Sequence, residues 1–362
     1  MMMSEKCKEH VDSCRFCWMC HHICPIGNAT GLERNTAKAR ALGISLVNRG
    51  ALVLSDIMDN IYECACCGGC VADCTTGWDP VMFTKETRLH AAMEGALPEY
   101  INTLVDNCLE TGNAYGMTEL DAKLAEAIAK HADKKDVVLF LGVDARYKVP
   151  EAAVKAIQVL EKAGVEFTVL ADEPASGQQL EYLISAANET KEQMTACASV
   201  LNGFAKVVAY DPQDAKVMKR EYKEWGVDLK AEVVTFTSFL AELLEAGKLA
   251  MNQSGKEVTY QDPFQLSRDL GETEEPRKVI AAFAIVKEML CNGKDTMWAG
   301  NLLMKEWMSN VIVDVAKGRI RNATGVGADV IVTASVSEYA SLKAVEQSDV
   351  KIVSIEELIL GE

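Results

Sequence analysis

The feature that most constrains this chain is a spacing of cysteines. Residues 14–25 read CRFCWMCHHICP and residues 64–74 read CACCGGCVADC. Each contains Cys-x2-Cys-x2-Cys-x3-Cys. The first run supplies Cys14, Cys17, Cys20 and Cys24, and the second supplies Cys64, Cys67, Cys70 and Cys74. Of the 13 cysteines in the chain, ten fall within the first 74 residues. Thiols this dense either form disulfides in an oxidising compartment or hold soft metals in a reducing one. The opening stretch MMMSEKCKEHVDS is polar and charged beyond its first three residues, so a cytoplasmic setting, and with it metal, is the expectation.

The spacing names the metal group. A cubane [4Fe–4S] cluster takes one thiolate per iron at four converging corners. Three cysteines separated by two residues wrap one loop around three corners, and the fourth ligand comes from elsewhere. In runs of this spacing the last cysteine crosses to the other cluster. Two [4Fe–4S] clusters are therefore expected: one on Cys14, Cys17, Cys20 and Cys74, the other on Cys64, Cys67, Cys70 and Cys24. Structural zinc takes two cysteine pairs across a longer loop, which is not the pattern here. Cys66 is out of register and reads as a small buried neighbour. Cys7, Cys108, Cys197 and Cys291 stand alone and read as buried packing residues. His21 and His22 read as neighbours of a full ligand set, and Phe16 and Trp18 as a shield against water. Gly68, Gly69 and Gly77 are read as allowing the backbone close to the cluster.

Beyond the cysteines, the periodicity divides the chain. Up to about residue 110, segments such as ERNTAKARALGISLV and PVMFTKETRLHAAMEGA repeat apolar residues every three or four positions, the pattern of helices. A connecting helix is expected within 111–133. From 134 onward short apolar runs alternate with amphipathic ones: DVVLFLGV, VEFTVL, AKVVAY and AEVVTF are expected strands, and VPEAAVKAIQVLEKAG an expected helix. The segment ADVIVTASVSEYASLKAV then VKIVSIEELILGE repeats the order and spacing of AKVVAYDPQDAKVMKREY then AEVVTFTSFLAELLEAG. The fold expected is α+α/β: a helical domain over 1–110, then two tandem parallel-sheet modules over 134–252 and 256–362.

Composition excludes some functions. The net charge of −16 argues against a broad nucleic-acid surface. The longest apolar runs resemble VIAAFAIV, well short of the ~18 residues of a membrane span. No Gly-x-Gly-x-x-Gly follows a strand, so no dinucleotide or flavin is expected on this chain. Arg34, Lys38, Arg40 and Arg49 follow the first cysteine run; they read either as a solvated helix face or as a docking patch for an acidic redox partner.

CRFCWMCHHICP together with YECACCGGCVADC resembles the N-terminal region of a family of iron–sulfur electron-transfer subunits. Its members include the D subunit of heterodisulfide reductase, the C subunit of anaerobic glycerol-3-phosphate dehydrogenase and the iron–sulfur subunits of glycolate and lactate oxidation systems. The resemblance implies an α-helical ferredoxin domain followed by two α/β modules, each with a Cys-Cys-Gly and a Cys-Pro-x-Cys element. In this chain those elements are degenerate. Val143, Ala175, Ser176, Asp211 and Asp214 stand at the expected thiol positions of the first module. Gln261, Phe264, Ser335 and Glu338 stand there in the second, and MWAGN has no cysteine. Soft clusters need thiolates, so no cluster is expected in the α/β half. Asp211 and Asp214 read as capping or turn residues.

The function this implies is an electron-transfer subunit of a multi-subunit oxidoreductase, passing electrons through two [4Fe–4S] clusters. A flavin-containing dehydrogenase subunit is the expected donor and another redox protein the acceptor, which makes the chain part of a hetero-oligomer. Two alternatives are a catalytic subunit resembling heterodisulfide reductase and a structural assembly subunit. No base or nucleophile constellation supports catalysis on this chain.

Overall fold

The expected helical pattern over the first 111 residues is realised as a run of short helices. The structure, a computed structural model, describes residues 3–347 and 349–361. Helices Glu5–Asp12, Ala37–Asn48, Pro80–Glu94 and Glu99–Thr111 are the longest of this region. Local chemistry sets their ends. The Asp79 carboxylate accepts from Val81 N and Met82 N, both at 3.0 Å, Pro80 fills the first helical position, and Gly95 closes the helix at φ 66°. The expected connecting helix is shorter than 111–133. It spans Ala122–Lys130, started by Asp121. The residues before it turn around Asn113, whose side chain accepts from Met117 N and donates to Met117 O.

From residue 137 the chain forms two parallel sheets. Strands β1 (Val137–Phe140), β2 (Lys206–Ala209) and β3 (Glu232–Thr235) lie in the order β1-β2-β3. Strands β4 (Glu257–Gln261), β5 (Ile285–Val286), β6 (Val330–Thr333) and β7 (Lys351–Ser354) lie in the order β5-β4-β6-β7. Taking β4, β6 and β7 as counterparts of β1, β2 and β3, the two sheets share one topology, as the sequence repeat implied. The expected strand VEFTVL does not form. Only Thr168 pairs with β1, through Leu139 N to Thr168 O at 2.9 Å and Thr168 N to Val137 O at 2.8 Å. It occupies the edge that two-residue β5 fills in the second sheet, where β5 pairs β4.

Beyond their first residues the strands are almost wholly buried, the pattern of parallel sheets covered on both faces. One apolar core runs from Leu139 and Val208 through Tyr260 and Ile331 to Ile352, so the two sheets are not separately cored. A second core fills the helical region and draws in Tyr182 and Leu183 from the helix Gln178–Ile184, with Trp298, Leu303, Met304 and Ile312 from the second module. The α/β half thus packs on the helical part through two insertions.

Candidate metal centre

The two cysteine runs fold into loops that repeat one another at an offset of 50 residues (64 − 14 = 50). Phe16 N donates to Cys14 Sγ at 3.4 Å, and Cys66 N donates to Cys64 Sγ at 3.4 Å. Phe16 and Cys66 are both left-handed, at φ 55° and 51°. Trp18 and Gly68 are as well, at 69° and 71°. A short helix follows each loop, Met19–Ile23 and Gly69–Ala72. Left-handed backbone costs a non-glycine residue about 1–2 kcal/mol, so these loops hold strain that the surrounding packing must impose. The repeat also settles the odd cysteine. Cys66 occupies the slot that Phe16 fills in the first loop, outside the Cys-x2-Cys-x2-Cys register.

The loops surround two small cavities of about 20 Å³ each. Cys14, Cys17, Cys20 and Cys74 line one, together with Phe16, Trp18, Lys38 and Trp78. Cys24, Cys64, Cys67 and Cys70 line the other, together with Cys66 and Arg40. The structure therefore brings together the eight sequence-selected cysteines in two sets of four, and each set takes its last cysteine from the opposite run. Among the described residues, no three His, Cys, Asp or Glu side chains close on one point as for a single ion. Four thiols gathered around each cavity are the soft donor set that an iron–sulfur group takes. Burial pushes the Cys20 and Cys67 thiols up to about 11, so their sulfurs stay protonated until a metal takes the proton's place.

The two sites differ in exposure. In the first, Cys17 is exposed and Cys14, Cys20 and Cys74 are half-buried; in the second, Cys24, Cys64 and Cys67 are buried. Phe16 and Trp18 line the first cavity but remain 61% and 48% exposed, so they shield it less than the sequence suggested. The second loop is clamped by the rest of the chain. Cys64 O accepts from Arg88 at 2.8 Å and from Tyr182 OH at 2.7 Å, and Cys67 O accepts from Arg268 at 2.8 Å. Tyr182 and Arg268 come from the two α/β modules in turn. His22 stands 3.8 Å from Asp73, and His21 packs beside Trp18 with ring centroids 6.0 Å apart.

The basic patch expected from Arg34, Lys38, Arg40 and Arg49 is not a free surface. Arg34 pairs with Glu63 at 2.5 Å, Arg49 lies 3.6 Å from Asp12, and Lys38 pairs with Glu33 at 3.3 Å while stacking on Trp18. Arg40 is buried against the second cavity. On the helix Ala37–Asn48 it shares a buried stripe with Ala37, Ala41 and Ile44. Cys291 also departs from expectation. Cys7, Cys108 and Cys197 are buried, whereas Cys291 is half-exposed at φ 56° and lines an open cleft of about 540 Å³. Ile23, Pro25 and Gly69 form the loop side of that cleft, and Trp298 and Arg319 the far side.

Most of the degenerate positions of the α/β modules are filled by hydrogen-bonded polar groups, and Val143, Ala175 and Phe264 are apolar. In the first module Asp211 caps the helix Pro212–Lys216 by accepting from Gln213 N at 2.8 Å, the capping role read from sequence, and Ser176 Oγ bonds to Asp214. Asp144, beside Val143, accepts from Tyr115 OH at 2.6 Å and from Ser337. Burial, with Asp144 adding to it, pushes Asp211 up to about 7. In the second module Gln261 donates to Glu338 at 3.2 Å and to Met297 O at 3.0 Å, and accepts from Arg319. Ala299 N donates to Glu338 at 3.2 Å, and burial pushes Glu338 up to about 8. Phe264 joins the apolar core.

Comparison with known proteins places this geometry. No protein-family model matches the chain. The D subunit of a dihydromethanophenazine:CoB–CoM heterodisulfide reductase from Methanosarcina acetivorans is 26% identical over 363 residues, covering 90% of this chain and 86% of that one. The chain is related to the D-subunit family of heterodisulfide reductase. A probable membrane-anchored ferredoxin of Chromohalobacter salexigens is 28% identical over 72% of this chain but only 39% of its own length. The B subunit of a CoM/CoB fumarate reductase from Methanothermobacter marburgensis is 22% identical over 74% of this chain and 54% of its own. The relatives are iron–sulfur subunits of oxidoreductase complexes. Among the described residues, no helix is long and apolar enough to cross a membrane.

Proposed function

We propose that this chain is an electron-transfer subunit of a multi-subunit oxidoreductase, relaying electrons through two [4Fe–4S] clusters between a flavoprotein dehydrogenase subunit and a further redox acceptor. The observation that supports it most is the pair of four-cysteine cavities, each completed by a cysteine from the other run. Bound there, the clusters supply one-electron carriers whose potentials span about −700 to +450 mV across proteins. Cys14, Cys17, Cys20 and Cys74 hold the first, next to exposed Phe16, Trp18 and Cys17, where a partner reaches it. Cys24, Cys64, Cys67 and Cys70 hold the second, kept from water by the α/β half. The degenerate modules act as a scaffold: their thiol positions carry Asp211, Asp214, Gln261 and Glu338, which satisfy one another and the backbone.

The crossed ligand set is what an experiment can separate from a simpler one. Anaerobically reconstituted protein should hold about eight irons, from two four-iron groups. Cys24→Ser should remove the EPR signal that Cys67→Ser removes, and Cys74→Ser the one that Cys17→Ser removes. Pairing of Cys24 with Cys17 instead, or an iron count of about twelve, would refute the reading.

A second reading is favoured by the cleft beside the second site. Ile23 and Pro25 line both that cleft and the second cavity, so a small molecule seated there lies one residue from the metal group. This is the catalytic alternative. Turnover of a small-molecule acceptor by the isolated, reduced chain would support it, and dependence on a protein partner in every assay would reject it.

A further inference from the structure

The second cavity holds a charge that the ligand reading leaves unexplained. Arg40 is 2% exposed, lines the cavity between the two loops, and leaves its Nε with no hydrogen-bond partner. Its Nη1 donates to Asn35 O at 3.0 Å, and Cys24 Sγ donates to the same oxygen at 3.3 Å. That shared acceptor holds the guanidinium beside a cysteine of the second set. A buried guanidinium is costly unless an anion faces it. No carboxylate pairs with Arg40 among the described residues. The facing anion is therefore the cysteine-bound group itself.

We propose that Arg40 sets the reduction potential of the cluster held by Cys24, Cys64, Cys67 and Cys70, raising it by stabilising the extra negative charge of the reduced form. The proposal rests on the iron–sulfur reading above. One-electron reduction adds one negative charge to a thiolate-bound cluster, and a fixed cation in a dry site favours the product of that step. At the first cavity the corresponding cation is Lys38, on the same helix Ala37–Asn48, but its side chain is 19% exposed rather than fully buried and is already paired with Glu33. The two sites thus receive unequal electrostatic help, and the difference comes from residues two positions apart.

The test is an EPR-monitored redox titration of the full-length reconstituted protein, with the two midpoints assigned from Cys17→Ser, which keeps only the second signal. Arg40→Gln keeps a polar group in reach of Asn35 O and removes the charge. It should move the second midpoint to lower potential and leave the first in place, whereas Arg40→Lys should restore most of the shift. Lys38→Gln should move only the first midpoint, and by less. A fully loaded Arg40→Gln protein with both midpoints unchanged overturns the proposal, as does an Arg40→Lys shift as large as that of Arg40→Gln. If Arg40→Gln loses the second cluster while Arg40→Lys keeps it, the charge is required to hold the group and the proposal stands. Loss in both variants assigns Arg40 to packing and overturns it. Failure of the wild-type chain to bind iron would instead sink the reading on which the proposal rests.

Discussion

Arg88 joins the second cysteine loop to the α/β half, and removing it gives a quantitative test of that clamp. The side chain is fully buried. It donates to Tyr182 O at 2.6 Å, Cys64 O at 2.8 Å and Ile61 O at 3.1 Å, with Tyr62 and Tyr182 rings 4.8 and 4.3 Å from its Cζ. Arg88→Met keeps the apolar stem and deletes every donor. Cys64 O still has the Tyr182 hydroxyl, so the carbonyls of Tyr182 and Ile61 bear most of the loss, at about 1–3 kcal/mol each. Relief from burying a guanidinium whose Nε has no partner offsets part of this. The net is about 2–4 kcal/mol, a large share of the ~5–15 kcal/mol that holds a domain folded. Because the damage is local, hydrogen exchange is the suitable assay. Amides of residues 61–68 and 178–184 should exchange about 30- to 1,000-fold faster, at 1.4 kcal/mol per tenfold, while those of the strands β4, β6 and β7 keep their protection. Unchanged exchange in 61–68, or equal loss across the second sheet, would show that Arg88 does not clamp the loop.

Exposure of the first site predicts an order of loss: a chelator or mild oxidant should bleach the EPR signal dependent on Cys17 before the one dependent on Cys67, and simultaneous loss would contradict the difference in burial. Cys66→Ala should leave both signals and the iron count intact, because Cys66 sits in the Phe16 slot; metal analysis checks this. Stability should fall as pH rises from about 5 to 8. Burial raises Glu338 to about 8 and Asp211 to about 7, so the folded chain keeps protons that the unfolded chain has released, a slope of up to about 1.4 kcal/mol per pH unit per group. Glu181, held down to about 2 against its burial by Lys216 and Lys85, loses its contribution only below that window. Glu338→Gln should flatten part of the slope in denaturant titrations at pH 5 and pH 8, and an unchanged slope would disprove the assignment. Gly142→Ala should destabilise the first module by more than the usual ~1–2 kcal/mol for left-handed backbone, since φ is 83° and the new Cβ would collide with Asp214; differential scanning calorimetry measures it.

The difference between this chain and the family pattern it resembles turns on what has replaced sulfur. The second module substitutes a closed set, Gln261, Glu338 and Arg319, in which burial also lowers Arg319 to about 10. The first substitutes acidic groups that burial holds toward their neutral forms. Both solutions keep the module packed by satisfying polar groups internally, which is the requirement any replacement in a buried site must meet. The helical half shows the opposite economy: strained backbone at Phe16, Trp18 and Cys66 is retained where the loops must curl around a metal group.

The sequence by itself determined the strand–helix order and supplied the basis of the metal chemistry proposed above. Both rest on periodicity: the two- and three-residue cysteine steps select a loop that closes on four corners, and short apolar runs between amphipathic ones select a parallel sheet. VEFTVL misled because an apolar run records burial, not pairing; Thr168 finds only one strand-like bridge, and the residues around it are buried by side chains instead. Only the tertiary structure decided which site faces water, that Arg40 lies against the second site and that the Arg34, Lys38 and Arg49 charges are already paired. Most of these depend on contacts between residues tens to hundreds of positions apart, such as Arg34 with Glu63, Arg268 with Cys67 and Arg88 with Tyr182. Spacing along the chain carries no information about such contacts, because whether a charge is buried or solvated is set by what packs over it.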